Sequence, residues 1–170
     1  MGIRNLRRLI TATVAGLALA PLANAATNTG TLTVNATIVS ACVVSATTLN
    51  FGSSIDPTSA VVPLDATSTM TVLCTATTPY TIALNAGANA GGASNFSARA
   101  IKNGTRTLAY QLYSDLGHTT VWGDGTATSS TTAGTGLGTN QSLTIYGRLP
   151  SLSGSAPGLY TDTVTVTISY

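Results

Sequence analysis

The stretch Gly30–Ile38, GTLTVNATI, places Leu32, Val34, Ala36 and Ile38 on one side of an extended chain and Thr31, Thr33, Asn35 and Thr37 on the other. This two-residue period is that of a β-strand with one covered face, whereas a helix would repeat its apolar positions every three to four residues. The final stretch, Tyr160–Tyr170, has the same period, with Val164, Val166, Ile168 and Tyr170 set against threonine and serine. Both patterns commit the chain to sheets. The first is also long: from Gly30 to Cys42 it covers about 13 residues, roughly 43 Å at ~3.3 Å per residue, beyond the usual strand of a compact domain.

Ahead of this run, Arg4, Arg7 and Arg8 precede an apolar segment, Leu9–Leu22, too short to span a bilayer, and Ala23-Asn24-Ala25 is a small-x-small cleavage pattern. That order predicts a secretory signal peptide over residues 1–25. The rest keeps four basic residues (Arg99, Lys102, Arg106, Arg148) against five aspartates, a net charge of −1. It holds no basic cluster for a phosphate backbone, so no nucleic-acid partner is expected. Cys42 and Cys74, an even pair in an exported chain, are expected to form a disulfide. The competing assignments, two free thiols or half a metal site, must contend with a single histidine and a wide separation between the cysteines.

No segment past residue 25 has a helical period, and the chain contains no glutamate. Strands are expected at Gly30–Val44, Thr48–Phe51, Ser68–Thr75, Tyr80–Asn85, Ser97–Lys102, Thr105–Tyr113, Thr119–Trp122, Ser142–Leu149 and Tyr160–Tyr170. Asn103-Gly104 and Asp124-Gly125 are turn signals between them, and the Gly/Ala/Ser/Thr-rich stretches Asn85–Ser97 and Gly123–Thr139 are expected loops. Short strands and frequent turns give an all-β sandwich.

Catalytic chemistry is poorly represented. His118 is the lone histidine and is expected in a solvated turn, and the aspartates stand beside turn residues, where their carboxylates bond nearby amides. No G-x-S-x-G elbow and no Gly-rich phosphate loop is present. The expectation is a structural or adhesive protein, not an enzyme, with no metal and no cofactor. A hydrolase built on Asp115 or Asp124 with His118 is the weakest alternative.

Several pieces together resemble the spore coat protein U domain family, which includes subunits of archaic chaperone–usher pili of Gram-negative bacteria. They are the alternating start followed by Cys42, the early Leu49-Asn50-Phe51-Gly52, the strand bearing Cys74, Leu112-Tyr113-Ser114-Asp115 followed by Trp122-Gly123-Asp124-Gly125, and the Gly158-x-Tyr160-x-Asp162 ending. The resemblance implies an incomplete immunoglobulin-like β-sandwich completed by a donor strand from a neighbouring subunit, a form of strand addition. The implied partners are a periplasmic chaperone, an outer-membrane usher and identical or related pilus subunits. The implied location is the cell surface, reached through the periplasm, in a homopolymeric pilus serving attachment and biofilm formation. On this reading residues 26–38 are the donor strand, with Gly30, Leu32, Val34, Ala36 and Ile38 entering the neighbour, and residues 39–170 are the pilin-like domain. Val164, Val166, Ile168 and Tyr170 then border the acceptor groove held by the chaperone. The alternative is a self-sufficient secreted sandwich, a spore or envelope coat protein or a carbohydrate-binding module with Tyr110, Tyr113 and Trp122 as an aromatic platform.

Overall fold

The computed structural model describes residues 25–170, so the signal peptide expected over residues 1–25 lies, but for Ala25, outside the described residues. By internal packing the chain divides after Ala36. The described part of the first unit, residues 25–36, carries no strand, and its side chains are exposed. The second unit, Thr37–Tyr170, is the sandwich.

Its elements follow in chain order: β1 Cys42–Ala46, β2 Leu64–Cys74, β3 Pro79–Leu84, a 3-10 turn at Phe96–Ala98, β4 Ala100–Asn103, β5 Arg106–Ala109, β6 Gln111–Tyr113, β7 Thr132–Thr135, β8 Gln141–Leu149 and β9 Val166–Ser169. One sheet has the order β1-β2-β8-β6, the other β7-β3-β9, and β4 and β5 form a separate hairpin. All these neighbours are antiparallel. The longest pairing joins β2 to β8, from Leu64 opposite Leu149 to Val72 opposite Gln141. Met70, Val72 and Cys74 face Tyr80, Ile82 and Leu84 across the core, the alternation of β2 and β3 placing each set on one face. Trp122 closes the middle, its indole nitrogen donating to the Ile82 carbonyl at 3.2 Å.

The β2, β3 and β8 patterns and the Asn103-Gly104 hairpin, with Gly104 at φ 57°, stand as the sequence predicts. Elsewhere the structure departs from it. The first strand of the sandwich runs over Cys42–Ala46, not back into the alternating run, because only from Cys42 onward does β2 supply a paired edge. Thr48–Phe51 forms no strand. Val121 and Trp122 make only isolated bridges, to Tyr113 and Ser130. β7 lies inside the low-complexity stretch expected to be a loop; Gly134 sits opposite Tyr80, and a Cβ there would run into the tyrosine ring. Of Tyr160–Tyr170 only Val166–Ser169 pairs as a strand, because its partner β3 ends at Leu84. Upstream, Asn85 Oδ1 accepts from the Thr165 amide at 2.9 Å, and Asn89 Nδ2 donates to the Thr161 carbonyl at 3.0 Å.

Candidate functional site

Each sheet ends on an edge. Among the described residues β1 pairs only with β2, and β9 only with β3, so each leaves a row of backbone groups without a sheet partner there. These two edges approach each other on the same side of the sandwich. A cleft of about 940 Å³ opens beside them. Its floor is the core itself, with Leu108, Tyr110, Leu112, Ile145 and Leu149 among the lining side chains. One wall is the chain after β1, Ala46–Phe51, and the other includes Tyr160, Val164 and Val166. A single-layer gap over an apolar floor is the shape left when a sandwich is one strand short.

The polar groups of this cleft hold the wall in place. Tyr110 Oη donates to Asp162 Oδ2 at 2.7 Å, while Asp162 Oδ1 accepts from the Asn89 amide at 3.1 Å. Burial, followed by the bond to Asp162, pushes the Tyr110 phenol well above its ordinary range, so it stays protonated and donating. Arg99 lies behind this pair, fully buried. Its guanidinium donates to the Asn85 and Trp122 carbonyls at 2.8 and 2.9 Å and to Gln111 Oε1 at 2.9 Å, over the Phe96 ring. Burial lowers its pKa to about 10, against the pull of Tyr110 and Asp162, and it remains a cation at neutral pH. No local pattern in the sequence marks Arg99 or the Tyr110–Asp162 bond. The Gly-x-Tyr-x-Asp ending was the one available pointer to Asp162, and it carried no partner.

Of the proposed acceptor-strand residues, Val164 and Val166 line the cleft. Ile168 packs on the core opposite Ile82, and Tyr170 is exposed. Cys42 and Cys74 are direct cross-strand partners and form the disulfide. In the alternating run, Leu32, Val34 and Ile38 are 88, 83 and 79% exposed, and Gly30 and Ala36 are exposed as well.

The alternatives fare differently. Tyr110 and Trp122 are buried, so with Tyr113 they form no surface platform. His118 is not a solvated turn residue. Its side chain packs edge-on against the Tyr113 and Tyr146 rings, with Nε2 3.8 Å from Asp65 Oδ1. Asp115 does serve its turn, accepting from the Thr119 and Thr120 amides, and Asp124 does likewise for Thr126. These bonds, led by the Thr120 amide for Asp115 and the Ser94 hydroxyl for Asp124, hold both carboxyls below the ordinary aspartate value.

Comparison with known proteins gives this geometry a family. The model of the Spore Coat Protein U domain matches residues 28–167. Protein U of Myxococcus xanthus is 34% identical over 173 residues, covering 95% of this chain and 94% of that protein. Among solved structures, a chain of the CsuC–CsuE chaperone–tip adhesion subunit pre-assembly complex, from the archaic chaperone–usher Csu pili of Acinetobacter baumannii, matches at a TM-score of 0.56 and 23% identity. The match covers 79% of this chain, which spans only 40% of the length of that one. The shared fold is the incomplete immunoglobulin-like sandwich, all-β and open along one side. This chain belongs to the Spore Coat Protein U domain family.

Proposed function

We propose that this chain is a structural subunit of a chaperone–usher surface pilus, polymerised when residues 26–38 of one copy fill the open side of another. The observation that carries this reading is the pairing of an open apolar cleft, walled by Ala46–Phe51 and by Tyr160, Val164 and Val166, with an exposed alternating run of matching period. Leu32, Val34 and Ile38, with a smaller share from Ala36, would on entering such a cleft gain roughly 5–9 kcal/mol as an upper figure. The backbone of the run would pair with the edges of β9 and β1. A periplasmic chaperone supplies the missing strand before assembly, an outer-membrane usher presides over the exchange, and the fibre at the cell surface serves attachment and biofilm formation. The likeness to a chaperone–pilus subunit complex supports these partners by analogy of fold.

The test is expression of the exported protein with residues 26–38 deleted, beside chaperone and usher. The deleted chain is expected to be recovered bound to chaperone and to form no polymers by size-exclusion chromatography and electron microscopy. Polymers formed without the run would overturn the reading. A second reading, a coat subunit joined by the same exchange, is favoured by the family's description and the likeness to Protein U. Immunogold labelling separates the two: filaments leaving the cell support a pilus, and a continuous envelope layer supports a coat.

A further inference from the structure

The outward face of the β1-β2-β8 sheet is built largely of polar and charged residues: Ser45 on β1, Asp65, Thr67, Thr69 and Thr71 on β2, Ser142, Thr144 and Arg148 on β8, with Tyr146 packed against His118. Two aliphatic positions break the pattern. Val43 and Leu73 are direct cross-strand partners, point away from the core, and are 66 and 42% exposed. Both occupy positions where alternation calls for a polar residue, and neither contributes to the core cluster. Val39, just upstream, is exposed as well. An aliphatic pair placed against the pattern of its own sheet marks a contact surface better than scattered exposed residues do.

Its position names the occupant. The chain enters β1 through a fixed port: the Ala41 amide donates to Thr75 Oγ1 at 2.8 Å, and the Thr75 amide donates to the Ala41 carbonyl at 2.9 Å. Only Val39 and Ser40 separate this port from Ile38. Three peptide steps span at most about 10 Å. Whatever body receives residues 26–38 is therefore held within about that distance of Ala41, beside Val43 and Leu73. We propose that Val39, Val43 and Leu73 form a docking patch for the copy that accepts this chain's own run, a second contact at each joint that stiffens the fibre. The inference rests on the strand-exchange reading above and names a further surface of the same partner. With the linker this short, the second contact is intramolecular once the run is seated, so a small apolar patch suffices.

The experiment compares fibres of the native chain and of the double variant Val43→Thr/Leu73→Thr, assembled with chaperone and usher and measured by negative-stain electron microscopy. Threonine suits an exposed strand position, so the sheet is retained. The expected result is that the variant still polymerises but its persistence length falls by at least about twofold, while Val43→Ile/Leu73→Ile restores it. Unchanged persistence length in fibres of the threonine variant would overturn the patch and leave strand exchange standing. Polymers that survive deletion of residues 26–38 would overturn both. Should the threonine variant fail to fold, hydroxyl-radical labelling of the native chain decides: labelling of Leu73 drops several-fold from the chaperone-bound subunit to the fibre if the patch docks, and unchanged labelling removes it.

Discussion

Asp162 sits where three segments meet: it accepts from Tyr110 Oη and from the Asn89 amide, and its own backbone belongs to the wall of the cleft. Substitution Tyr110→Phe leaves one carboxylate oxygen without its partly buried donor. The expected cost is about 1–3 kcal/mol, read as a lower urea midpoint of the protein at unchanged slope. A second residue-scale expectation concerns acid. Asp56, Asp65, Asp115 and Asp124 all lie below the ordinary aspartate value of 3.8, Asp56 chiefly through the Thr58 hydroxyl and Asp65 chiefly through its bidentate bond with Arg148. Each folded value is depressed, so the stability these groups contribute is present above the unfolded value and is lost as pH falls through the folded ones. The urea midpoint is expected to drop between about pH 4 and pH 2, and Asp115→Asn is expected to flatten part of that drop. That Asp115 and Asp124 serve turns was legible from their neighbours. The burial of His118 was not, since a lone histidine in Leu-Gly-His-Thr carries no sign of the two tyrosine rings that β6 and β8 bring over it.

Strands announce themselves when a single face is buried. β2, β3 and β8 alternate between core and solvent, and Met70, Val72, Ile82, Leu84 and Ile145 were readable as core from that period alone. β7 was not readable: Thr132–Thr135 carries no large apolar side chain, and its place in the sheet is secured by Gly134 making room for Tyr80. The C-terminal alternation was overextended for the opposite reason. Its period persists through Val164, but the hydrogen bonds there come from Asn85, Asn89 and Lys102, outside the strand that sheet pairing requires. The cleft was implied by resemblance and could not be drawn from local pattern, since it is a property of which edges are left over. At this scale Cys42→Ser/Cys74→Ser is expected to cost roughly 3–4 kcal/mol by the loop-closure account. Chemical denaturation of the variant against the native subunit measures it.

At the scale of the whole molecule, assembly is expected to depend on the side chains of the exposed alternating run. Leu32→Asp or Val34→Asp buries a charge that the apolar floor cannot solvate. Either is expected to abolish polymers in the chaperone–usher assay while leaving chaperone-bound subunit, and a normal fibre from either variant would contradict the reading. The staple between Cys42 and Cys74 also matters to a filament under tension. A tug on such a filament would reach the body through the backbone at Ala41 and arrive at once at Cys42, the first residue of an edge strand paired over only five residues. Without a crosslink that edge would peel away rung by rung. The bridge instead hands the force to β2, which is anchored along its length by β8, so the globule must yield as one piece or hold.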